Sequence, residues 1–296
     1  MSTQSTSTNI TLDYVKTIGI VNNGFNGRGF ANPYDIVVDS DGRIFVLNRC
    51  DPARASAIRI GICTLDDEYV GEFGKGNGTG DGQFVWPVAM ALDSQNRIFI
   101  TDEHSHRITS YTTSGEYLSH WGNPGDSDGE LNGPAGISVD SDDNVYVADW
   151  RNDRIQKFST DGSFLGTFGS PGDGEGQFRR PTSVAVDPEG FIYVADWGNE
   201  RVQVLSPDGD FQILLQGAAT MSKWGEDYLS SNPEEKSERE ISNLRPVLPE
   251  HLNTPYHISS QTEPNFWGPV SVSLDKQGRL YVTETNRHRF QVYQKH

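Results

Sequence analysis

The chain has 296 residues, 31 of them glycine, and a formal net charge of −17. That charge opposes phosphate backbones, which proteins bind by neutralising them with Lys and Arg, so nucleic acid is not an expected partner. The longest mostly apolar stretch, Val85 to Leu92, is far shorter than the roughly 20 residues of a membrane-spanning helix, so no membrane partner is expected either.

Residues 1–9 are polar and lack the basic end and apolar centre of a secretory signal. They read as a disordered tail on a cytoplasmic protein, with residues 10–296 forming one domain. In that compartment Cys50 and Cys63 are expected as reduced thiols.

Five segments then run in register from Pro33, Pro87, Pro134, Pro181 and Pro269. Six residues after each proline stands an aspartate (Asp39, Asp93, Asp140, Asp187, Asp275), and fifteen after it Asn48, Asp102, Asp149, Asp196 or Glu284. The prolines at 87, 134 and 181 are 47 residues apart. A repeat of that length built from short apolar runs predicts an all-β propeller of four-stranded antiparallel blades. The third repeat shows the meander. Strands are expected at Ile137–Asp140, Val145–Ala148, Arg154–Phe158 and Phe164–Phe168, joined by turns rich in Asp, Asn and Gly.

Outer strands carry Tyr69, Tyr117, Phe164 and Phe211, one fewer than the five sets of inner strands. Leu12-Asp-Tyr14-Val15-Lys-Thr-Ile18-Gly19 aligns with Glu68–Gly74, so the N-terminal strand is expected to complete the last blade and close the ring. Residues 217–265 interrupt the pattern. Asn232-Pro233-Glu234-Glu235 is a helix start with an N-cap, proline and acids in the first turn, and Pro246 a stop. Met221, Trp224 and Tyr228 suggest a shorter amphipathic stretch before it. The segment reads as a helical insertion, so five blades are recognisable, or six if it supplies a degenerate one.

Asp149-Trp-Arg-Asn152-Asp-Arg154 and Asp196-Trp-Gly-Asn199-Glu-Arg201 resemble the NHL repeat, as do the Gly-Gln-Phe loops at 82–84 and 176–178. The resemblance implies a propeller, usually of six blades. One NHL branch, the peptide-amidating lyases, is similar in its repeats and holds metal with histidines after the strand-opening prolines. Here those positions are Tyr34, Val88, Ala135, Thr182 and Val270, so that ligand set is absent. Arg49 could match that branch's catalytic arginine.

The recurring acid and the arginine twenty after the proline (Arg107, Arg154, Arg201, Arg289) are expected to pair structurally, since a catalytic pair would occur once. What varies between repeats is the loop after the second strand, which opens on one face with the entries to each first strand. That face gathers Arg49, His104, His106, Trp150, Arg151, Arg180, Trp197, Arg287 and His288. It suits a small anionic or aromatic ligand, or a protein or peptide, and points to a binding module. The rival is a metal-assisted lyase or hydrolase at the channel mouth, using His104, His106, His288 and Arg49. No cofactor is expected for the module, while a divalent metal is possible for the rival. The Gly- and Asp-rich connections lack the ordered acidic spacing of a calcium loop and read as crossovers between blades.

Overall fold

The computed structural model describes residues 16–19, 29–49, 57–74 and 76–295. Blade 1 comprises β1 (Pro33–Val38), β2 (Ile44–Asn48), β3 (Arg59–Cys63) and β4 (Tyr69–Phe73). Blade 2 holds β5 (Pro87–Leu92), β6 (Arg97–Asp102), β7 (Arg107–Thr112) and β8 (Tyr117–Trp121). Blade 3 holds β9 (Pro134–Val139), β10 (Val145–Asp149), β11 (Arg154–Phe158) and β12 (Phe164–Phe168). A short parallel pair, β13 (Ser170–Pro171) and β14 (Gln177–Phe178), leads into blade 4. That blade is β15 (Pro181–Val186), β16 (Ile192–Asp196), β17 (Arg201–Leu205) and β18 (Phe211–Leu215). Blade 5 is β19 (Pro269–Leu274), β20 (Arg279–Glu284) and β21 (Arg289–Gln294). Each blade is an antiparallel meander in chain order, and blade 5 has three strands among the described residues. The arrangement is a five-bladed β-propeller.

The repeated residues explain the repeated geometry. The aspartate six after each proline caps the turn between first and second strands: Asp93 Oδ1 accepts from the N–H groups of Gln95 and Arg97 at 3.0 and 2.8 Å. Fifteen after the proline, the side chain accepts the N–H two residues before that proline. Asn132 donates to Asp149 at 2.6 Å, Arg179 to Asp196 at 2.7 Å and Trp267 to Glu284 at 3.0 Å. Asn48 serves in blade 1 because its amide oxygen accepts Ala31 N–H at 2.8 Å as a carboxylate would.

The expected acid–arginine pair forms in blades 3, 4 and 5, with Nε–O distances of 2.9, 2.7 and 2.8 Å. In blade 2 it does not. Asp102 accepts the backbone N–H groups of Val85, Trp86, His104 and Ser105, and Arg107 donates from Nη1 and Nη2 to backbone carbonyls while its Nε has no partner among the described residues. Those carbonyls belong to the Gly-rich connection, as do the ones Arg201 takes from Asp173, Gly174 and Gln177. The connections are thus clamped by arginine.

Each of the four junctions between consecutive blades buries its own apolar cluster. Tyr146 and Ala148 of blade 3, for example, meet Val184 and Val194 of blade 4. Burying several such side chains at about 1.5–3 kcal/mol each is what holds neighbours together.

Residues 217–265 contain no strand. They fold as α1 (Lys223–Ser231), α2 (Pro233–Ile241) and α3 (Pro255–Gln261), so the insertion is helical and supplies no sixth blade. Asn232 precedes α2 as expected, but its side chain caps nothing; its Nδ2 donates back to Tyr228 O at 2.8 Å. Helix α3 was not anticipated, although Thr254-Pro255 repeats the start signal of Asn232-Pro233. The expected pairing of Leu12, Tyr14 and Val15 with the last blade falls outside the described residues.

Candidate functional site

The first strands of all five blades line a central channel enclosing about 800 Å³. Two tiers of side chains form its wall. The residues just after the prolines are Tyr34, Val88, Ala135, Thr182 and Val270, followed by Asp35, Ala89, Gly136, Ser183 and Ser271. The second tier is small because neighbouring backbones nearly touch: a Cβ on Gly136 would stand 2.6 Å from Ser183 Cα. At the mouth, sixteen residues after each proline, stands a ring of Arg49, Glu103, Trp150, Trp197 and Thr285. Around a repeat this strict, that ring has four different residue types in five places.

Arg49 sits between two aromatic rings, its guanidinium carbon 4.4 Å from the Tyr34 centroid and 4.0 Å from that of Trp86. Its side chain is 15 % exposed and its nearest carboxylate, Glu103, is 4.0 Å away. Among the described residues neither a carboxylate nor a carbonyl lies within hydrogen-bond reach of the guanidinium. Burial pulls its pKa below the usual guanidinium value, with Tyr34 and Glu103 opposing. Glu103 is meanwhile held by Arg151 at 3.1 Å. Asp35, on the wall below, accepts Met90 N–H at 2.7 Å and Ile36 N–H at 2.9 Å; burial pushes its carboxyl up to about 6.

Of the residues singled out from sequence, Arg49, Trp150 and Trp197 therefore line the channel. Arg151 and Arg180 lie beside them, with guanidinium carbons 5.3 and 5.4 Å from the Trp150 ring. Arg287 is spent on structure: its Nη2 donates to the carbonyls of Ser259 and Ser260 in α3 at 2.8 and 3.1 Å.

His104 lies near enough to His106 to lower its pKa, and His288 stands on blade 5. His106 Nδ1 accepts Gly133 N–H at 3.0 Å, a bond that Asp153 and Glu200 repeat with Arg180 N–H at 2.6 Å and Gly268 N–H at 2.5 Å. His106 is thus an inter-blade acceptor, its pKa lowered by burial and by nearby Arg151. His288 holds the same place in blade 5, and His104 is exposed. Among the described residues no three His, Cys, Asp or Glu side chains cluster as a metal site. Asp35 was missed from sequence. Its signal was there: an acid where the other repeats have Ala89, Gly136, Ser183 and Ser271.

Fold and channel together define a β-propeller whose variable residues ring one mouth. The NHL-repeat family model matches residues 131–158, 178–205 and 266–293, each running from just before a strand-opening proline to the third strand of blade 3, 4 or 5. These three segments match the NHL repeat. It is 28 % identical over 109 residues to NHL repeat-containing protein 3 of Mus musculus, and 30 % over 108 residues to that of Homo sapiens. Each match spans 36 % of this chain and 30 % of the relative's length. Among solved structures, virginiamycin B lyase from Staphylococcus aureus superposes with a TM-score of 0.52 at 13 % identity, over 89 % of this chain and 70 % of the lyase. A streptogramin B lyase gives 0.52 at 14 %, over 90 % and 84 %. At such identities the likeness is one of fold.

Among the described residues no helix is long and apolar enough to cross a membrane.

Proposed function

We propose that this propeller is a binding module that takes a small carboxylate-bearing ligand into its channel mouth, with Arg49 as the anion receptor. One observation carries the reading: a largely buried guanidinium, fixed by two aromatic rings and without a bidentate acceptor among the described residues, lines a channel large enough for a small molecule. The structural arginines Arg154, Arg201 and Arg289 each bond both a carboxylate and backbone carbonyls, whereas Arg49 is held in place by stacking and bonds neither among the described residues. A planar carboxylate matches its paired donors. Trp150 and Trp197 on the same ring offer faces for an aromatic body.

Calorimetric titration with benzoate, phenylacetate and short peptides ending in a free carboxylate tests this. Wild-type protein is expected to bind at least one, and Arg49→Ala to weaken that binding about 10- to 100-fold, as for loss of a charge-assisted bond of about 1.5–3 kcal/mol. A panel that fails to bind, or binds Arg49→Ala equally, overturns the reading.

Catalysis at the same mouth is a second reading, supported by Asp35, whose carboxyl near 6 suits proton exchange with a bound ligand. The likeness to solved lyases adds fold alone. Consumption of a bound panel member that stops in Asp35→Asn, with affinity retained, would favour this reading.

A further inference from the structure

Asp35 carries a charge that its place in the fold does not need. The residue two after each strand-opening proline lines the channel, and the other blades put Ala89, Gly136, Ser183 and Ser271 there. In blade 4 a neutral group makes the bond that Asp35 makes in blade 1. Ser183 Oγ accepts Val272 N–H of blade 5 at 3.2 Å, as Asp35 Oδ2 accepts Met90 N–H of blade 2 at 2.7 Å. Val272 and Met90 both stand three residues after their prolines. Ala89 and Gly136 have no side-chain acceptor to offer, and blades 2 and 3 still bury apolar clusters against their successors. A hydroxyl would therefore serve at position 35, where a half-buried carboxylate instead gives up part of its hydration.

The charges of the channel are few. Its ionisable lining residues are Tyr34, Asp35, Arg49 and Glu103, and Glu103 is held by Arg151 at 3.1 Å. No basic group among the described residues acts on the Asp35 carboxyl, and the strands packed on β1, which are β2 and β5, carry no ionisable side chain. The mouth thus holds a cation stacked between two rings, and the wall below it holds an anion with backbone donors alone. Asp35 stands two residues inward of Pro33, whose partner Asn48 precedes Arg49, so about 6–7 Å of extended strand separates their levels. A ligand anchored by its carboxylate on Arg49 would extend its far end past Asp35. An anionic end is repelled there, and a cationic one is drawn in.

We infer that the ligand is a zwitterion with its charges at opposite ends, a carboxylate on Arg49 and an ammonium on Asp35, as in an ω-amino acid or a dipeptide. The inference deepens the carboxylate reading and rests on it. An ammonium has three donors to place, and the Ser183 and Ser271 hydroxyls on the same tier supply acceptors beside the carboxylate. Its charge would also offset the burial that holds the Asp35 carboxyl near 6.

Calorimetric titration of the full chain at about pH 7.5, where Asp35 is ionised, tests this with two matched pairs. These are para-(aminomethyl)benzoate against para-ethylbenzoate, and ε-aminocaproate against heptanoate; within each pair an ammonium replaces a methyl. At least one ammonium member is expected to bind about 10-fold or more tightly than its twin, as for one charge-assisted bond. Asp35→Asn keeps an acceptor for Met90 N–H, and should abolish that advantage while binding the twins at least as well as wild type. Twins that match both ammonium members in wild-type protein overturn the inference and leave Arg49 standing as the receptor. An ammonium advantage that survives Asp35→Asn overturns it as well. Absence of all binding, or binding indifferent to Arg49→Ala, overturns the carboxylate reading and the inference together.

Discussion

Two arginines that look alike in sequence differ in what surrounds them. Arg201 has a 9 % exposed side chain, pairs with buried Asp196 at 2.7 Å and donates to three carbonyls of the connection before β15. Arg201→Ala leaves the buried Asp196 carboxylate with neutral donors alone, from Arg179, Asn199 and Gln203, and removes the clamp on the connection. We expect a loss of about 3–5 kcal/mol, the range for breaking a buried pair, measured by urea denaturation. Arg49→Ala should cost far less stability, because its rings can close over the gap and the groups that lose a neighbour are the Tyr34 hydroxyl and a carboxylate 4.0 Å away. Periodicity made Arg201 legible as structural. Arg49 was legible only as a deviation, since its stacking on Tyr34 and Trp86 joins two blades 37 residues apart in sequence.

At the scale of an element, the bond from Gly268 N–H to Glu200 joins blade 4 to blade 5. Burial raises the Glu200 carboxyl from 4.5 to about 7, with Glu284 adding to the shift and the Gly268 bond opposing it. The folded state thus holds this proton more tightly than the unfolded chain. Its stabilising contribution is full below about pH 4.5 and is lost as pH rises through about 7. Glu200→Gln keeps an acceptor without the charge. Its melting temperature should exceed wild type at about pH 8, with the difference shrinking toward pH 5; a constant difference would contradict the assignment.

Outer-strand ends supply another test. Gly169 has φ 80° and a Cβ there would overlap the Phe178 ring, so Gly169→Ala should cost at least the 1–3 kcal/mol of a strained residue, read from denaturant midpoints. Strand boundaries were readable here because turn chemistry punctuates them. Helix α3 escaped notice because it is seven residues long and its start signal, Thr254-Pro255, has no acids behind it in the first turn.

For the whole molecule, the repeat specifies a ring by making each blade incomplete alone. Its apolar faces, its connection and its inter-blade acceptor all address the next blade. Fold class and the helical nature of the insertion followed from that logic, whereas five or six blades stayed open in the sequence and the structure shows five. The site did not follow, because a repeat encodes what blades share and a binding mouth is built from what they do not. Asp35 and Glu103 acquire meaning only when five loops meet around one axis. A crystal structure of the protein with its tightest carboxylate from the binding panel would test the central reading most directly. The carboxylate is expected within hydrogen-bond distance of the Arg49 guanidinium, with the ligand body against Trp150 or Trp197. Occupancy on the opposite face of the propeller, with the Arg49 mouth empty, would contradict it.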